Sequence, residues 1–177
     1  MFIRSMVVAL LASLAGPSLL AAQGVSSLLE DAERRAWLTD WSSATPLYAE
    51  AERLARASGD ERNAVFAKFG RLRGQMQTQQ LQRISEEIAV DLARPLVASD
   101  QRLRLRGLTV KGDIDLEWDV REAERAWLQV RELARDLGDA GWQNRAAGEL
   151  GMIAFLKGDT GGATKAVQAK ARRASRQ

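Results

Sequence analysis

The chain has 177 residues, 46% of them apolar and 28% charged, with 26 Lys and Arg against 23 Asp and Glu for a formal net charge of +3. It contains no Cys and no His, which excludes disulfides, thiolate nucleophiles, Cys- or His-ligated zinc and any triad built on an imidazole base. The length suits a domain, or a short repeat array, that buries a core, and the abundance of Ala, Leu and Arg favours helix over sheet.

In chain order the first element reads as an export signal. Arg4 supplies one positive charge, an apolar run extends from Met6 to Leu20, and the small residues Ala21-Ala22-Gln23-Gly24 follow before the first acid, Glu30. That order of charge, apolar run and small residues is the pattern of a secretory leader. The run is short and broken at Gly16-Pro17, whereas a spanning helix needs roughly 20 apolar residues. Residues 1–24 are expected to be a signal peptide cut after Ala22 or Gly24. The mature chain would then be exported, periplasmic or extracellular, with no membrane span. Its charge would be nearly balanced, so nothing points to nucleic acid.

Beyond the leader, Ser27-Leu28-Leu29-Glu30 has the form of a capping box and predicts the start of a helix. The segment Ala44–Asp60 then finds a counterpart in Ala123–Asp139, 79 residues on. Both are 17 residues long, open on Ala, carry an aromatic four residues later (Tyr48, Trp127), contain Leu-Ala-Arg and close on Gly-Asp. An offset of two units of about 40 residues signals an internal repeat. Units beginning near Ser26, Asn63, Arg104 and Asn144 accommodate the remaining markers.

Within each unit the apolar spacing is helical. Phe66, Phe69, Leu72 and Met76 form one stripe, and Leu81, Ile84, Ile88 and Leu92 another. Leu103, Gly107, Val110, Ile114 and Trp118 form a third, and Ala123, Trp127, Val130, Ala134 and Leu137 a fourth. Gly59 and Gly138 suit the left-handed position after a helix, and Asp60 and Asp139 the N-cap of the next. Pro95 stops the helix carrying Leu92. The expectation is an all-α fold of eight helices in four antiparallel pairs: 26–39 with 43–57, 61–76 with 79–93, 100–117 with 120–137, and 141–157 with 160–175. Ala32, Gly70, Gly151 and Ala163 are the small residues that let these helices nest.

The run Gly148 to Ala163, with Leu150-Gly151, Gly158-Asp159 and Ala163 at their spacing, resembles the tetratricopeptide repeat family. The likeness extends over about residues 25–177, although the units exceed that family's usual 34 residues. The lengthened units are similar to arrays in secreted or periplasmic bacterial proteins, some of which precede a CHAT domain. The resemblance implies an α-solenoid of about four helix pairs. It also implies a non-catalytic scaffold that holds a peptide or partner protein on a concave face lined by the first helix of each pair. On that face Trp37, Arg71, Gln75, Arg145 and Met152 are the candidate contact residues. No cofactor and no metal are expected. The N-terminal regulatory part of a longer array is an alternative.

Other motifs read more simply as structure. Asp113, Asp115, Glu117, Asp119 and Glu124 occupy calcium-loop positions, but Trp118 stands where such a loop needs Gly, so an acidic turn between helices is expected. The alternation of Ile114, Leu116, Trp118 and Val120 mimics a strand that would have no partner. The glutamines between Gln75 and Gln82 read as a polar turn and helix surface, and the basic stretch 160–177 as a solvated outer face. An all-α hydrolase using Glu149 or Asp113 is the catalytic alternative; it requires a carboxylate pair converging in a pocket.

Overall fold

A computed structural model describes residues 17–159 and 161, with side chains from residue 22 onward. The expected leader up to residue 16 and the expected final helix 160–175, with its basic stretch and Ala163, lie outside the described residues. Among the described residues the chain is all-helical, with α1 Pro17–Trp37, α2 Trp41–Ala57, α3 Glu61–Gly74, α4 Leu81–Leu92, α5 Pro95–Ser99, α6 Gln101–Asp115, α7 Val120–Asp136 and α8 Ala140–Leu156. No described helix is long and apolar enough to cross a membrane. The chain divides into two compact units at the Gly74–Gln75 junction.

The first unit holds α1, α2 and α3, with α2 packed against both neighbours. Its core is built largely from small residues: Ala32 of α1, Ala44, Ala51 and Ala55 of α2, and Ala64 and Ala67 of α3, all fully buried. Small contact residues let helix axes approach closely. Tyr48 fills the remaining space, its hydroxyl donating to the Glu33 carboxylate and its ring lying over Gly70. A Cβ added at Gly70 would fall 2.5 Å from that ring.

The second unit holds α4 to α8. α6 packs on α4, α5 and α7, and α7 packs on α8. Its core joins Leu105 and Leu108 of α6 to Ala123, Trp127, Val130 and Ala134 of α7 and to Ala146 and Ile153 of α8. α6 is buried on several sides, which explains why apolar residues such as Leu103, Leu105, Leu108, Val110 and Ile114 are all sequestered.

The turns follow one design. Gly59, Gly138 and Gly158 have φ of 77°, 66° and 80°, and each is followed by an Asp whose N–H reaches back to the carbonyl of Ala55, Ala134 or Ala154 at 2.8 Å. These are Schellman turns. Asp60 and Asp139 then cap α3 and α8, accepting from the N–H of Asn63 at 3.1 Å and Trp142 at 3.2 Å. Asp40, Asp100 and Asp119 cap α2, α6 and α7 in the same way. The Asp139 carboxyl is held below its ordinary pKa by the Trp142 N–H and by Arg102. Hydrogen bonds from Ser43 and Ser42 do the same for Asp40.

Five details depart from the sequence reading. Ser27 lies inside α1, because Val25, Leu29 and Ala32 continue one buried face through it. Thr39 takes the left-handed turn position at φ 62°, a conformation that the pattern assigns to Gly. Pro95 both ends one helix and opens the short α5, where its fixed φ suits the first helical position. Trp118 leaves the α6 stripe for the following turn, where its indole donates to Asp115 Oδ1 at 3.2 Å. The unit boundary also falls inside the expected pair 61–76 with 79–93.

Candidate interaction groove

In the second unit α6 lies between α4 and α7, and a groove of about 400 Å³ runs over it. Ala89 and Leu92 of α4, with Ala93 at its C-cap, form one wall; Glu122, Arg125, Ala126 and Gln129 of α7 form the other; Arg104, Leu108 and Lys111 of α6 make the floor. The i, i+4, i+7 and i, i+3, i+4, i+7 spacings put each set on one helix face. A second hollow of about 340 Å³ shares Arg104, Leu108 and Gln129 and continues along α7 past Leu128, Glu132, Leu133 and Asp136. Leu108 and Ala126 are buried, whereas Ala89, Ala93 and the neighbouring Val90 are exposed.

Under the groove lies a polar staple. Lys111 Nζ donates to Ser85 Oγ at 3.0 Å and to Asp115 Oδ2 at 2.5 Å, and Glu122 stands 3.9 Å away. Asp115 is fully buried and Ser85 is 4% exposed. These contacts of Lys111 tie α4 to α6.

The charged residues lining the groove are mostly satisfied. Arg125 pairs with Glu122 at 2.6 Å, and Arg135 neutralises both Glu132 and Asp136. Arg104 differs: among the described residues its only side-chain partner is Gln129 Oε1 at 3.5 Å, with no carboxylate within ion-pair distance.

A second cluster surrounds Arg145. Its guanidinium lies 5.3 Å from the Trp127 ring centroid and 5.1 Å from that of Trp142, and its Nη2 donates to both Asp113 oxygens at 2.7 and 2.9 Å. Glu149 stands 3.7 Å away. Asp113 and Glu149, the two acids singled out for hydrolysis, thus converge on a cation between aromatic faces, and neither lines the groove. Of the other acids of that turn, Glu124 is engaged by Lys157 at 2.7 Å and Asp119 by the backbone of α7.

The candidate contact residues are distributed over both units. In the first, Trp37 is 87% exposed beside the exposed Leu38, and Arg71 is drawn 2.8 Å from Glu52, which also holds Arg56. In the second, Gln75 sits in the turn before α4 with its carbonyl accepting from Thr78, and Met152 is exposed seven residues beyond Arg145 on α8. None of the five lines the groove. Sequence reading missed Arg104, Ala89 and Ala93; the one available signal was the i, i+4 pair of alanines on the polar side of α4. No family model matches the chain, and no curated protein is significantly similar to it.

Proposed function

We propose that this chain is an exported, non-catalytic interaction scaffold, a tetratricopeptide-like helical-repeat protein of a bacterial cell envelope that binds a peptide or a partner protein. The observation that carries the reading is the open groove over α6, whose lining mixes Ala and Leu with charged side chains and contains a single acid, Glu122. Protein-binding surfaces of helical arrays are of this kind, extended and open, whereas enzyme sites enclose most of a small ligand. The repeated Schellman turns with Asp caps support a repeat origin. Engagement of Asp113 and Glu149 by Arg145 argues against their use as acid and base.

The test is in-cell crosslinking of the full-length chain in its native host, followed by mass spectrometry of the envelope fraction. The reading requires a saturable protein partner and a mature N-terminus at Gln23 or Val25. An intact Met1 on a cytosolic protein, or no partner in any fraction, would overturn it.

A further inference from the structure

We infer that the groove over α6 seats one amphipathic helix of a partner protein, and that this helix presents a carboxylate to Arg104. The inference rests on the scaffold reading and supplies the partner's chemistry. The groove's walls are α4 and α7, the second helices of their expected pairs, and its floor is α6, a first helix.

The shape argues for a helix. The α7 edge from Glu122 to Asp136 spans roughly 20 Å at 1.5 Å per residue, close to four helical turns. Ala89 and Ala93 keep the α4 wall low, so an incoming backbone can approach closely on that side. Leu108 in the floor and Leu92 in the α4 wall face its apolar side, as in helix-in-groove recognition.

The charge argues for an acid. Lys111, Arg125, Glu122, Glu132 and Asp136 each have an oppositely charged partner within the unit. Arg104, which lines both hollows, has none among the described residues. A guanidinium there complements one carboxylate in a charge-assisted contact.

The test uses the full chain and three labelled 18-residue helical peptides with one Leu/Ala stripe and a Gln-rich polar face. They differ only in a central Glu, Gln or Lys, and binding is read by fluorescence anisotropy. Wild type should bind the Glu peptide about ten-fold more tightly than the Gln peptide, the size of a charged hydrogen bond, with the Lys peptide weakest. Arg104→Gln should erase the Glu preference and Arg104→Glu should transfer it to the Lys peptide, with circular dichroism confirming an unchanged fold. Ala93→Arg should weaken all three peptides at least ten-fold. Equal binding of the three peptides by wild type, or a Glu preference surviving Arg104→Gln, would overturn the inference. So would self-association of the chain that Ala93→Arg abolishes, since a second copy would then be the occupant. A native partner still captured by Arg104→Glu and Ala93→Arg would leave the scaffold reading standing while removing this one.

Discussion

Tyr48 in the first unit and Trp127 in the second occupy the same place in the repeated 17-residue segment, on helices of equal length opened by Asp40 and Asp119. Both rings are fully buried, yet their surroundings are exchanged. Tyr48 sends its hydroxyl to Glu33 on the preceding helix and rests its ring on Gly70 of the following one. Trp127 rests on Gly112 of the preceding helix, while the following helix supplies Arg145 over its face. Its Nε1 has no acceptor among the described residues. The repeat therefore specifies the turn, the cap and a slot for one large ring. What fills the slot is settled by residues outside the repeated segment.

Cutting either ring out should have the largest effect. Trp127→Ala and Tyr48→Ala should each destabilise by about 3–5 kcal/mol in chemical denaturation, the cost of emptying a buried aromatic site. The glycines come next, because they test the exchange itself. Gly70→Ala and Gly112→Ala should each cost about 1–3 kcal/mol by overpacking. Gly112→Ala combined with Trp127→Leu should cost less than the sum of the single changes, whereas Gly70→Ala combined with Trp127→Leu should be additive. Additivity in both pairs would break the comparison. Smaller still is Tyr48→Phe, expected to cost about 1 kcal/mol for the lost hydroxyl contact. Thr39→Gly should instead stabilise, by about 1 kcal/mol, by relieving a β-branched residue at positive φ.

The smallest effect is in acid. Asp40 and Asp139 have folded pKa values lowered by their cap hydrogen bonds, Asp139 with Arg102 in addition. A carboxyl whose folded pKa lies below its unfolded one contributes stability above the unfolded value of about 3.9, and loses it as pH falls through the folded value. The melting temperature should therefore drop below about pH 4. Asp139→Asn, which can still cap, should flatten part of that fall.

The helices were legible in sequence where periodicity and punctuation agreed. The segment Ala123–Asp139 contains its aromatic, its Gly and its Asp, and α7 appears with its cap and turn in place. The start of α1 was not legible, because Ser27 has the composition of a cap while burial of Val25 and Leu29 draws the helix through it. Thr39 was missed because the backbone geometry of a Schellman turn is imposed by the hydrogen bonds on both sides, not by the residue that must adopt it. The groove was invisible for a related reason. Ala89, Arg104 and Ala126 carry no motif, and they come together only when α4 and α7 both pack on α6. Arg145 was legible as a distinctive residue, but its position between Trp127, Trp142 and Asp113 depends on three-dimensional packing.

The most direct measurement is site-specific photo-crosslinking in the native host, with the crosslinker placed singly at positions 93, 37, 71, 75, 145 and 152. If the groove over α6 is the partner surface, position 93 gives a partner adduct that Arg104→Glu removes, and the other positions give none that depends on Arg104. A partner adduct from the Trp37, Arg71, Gln75, Arg145 or Met152 positions with none from position 93 would contradict the account.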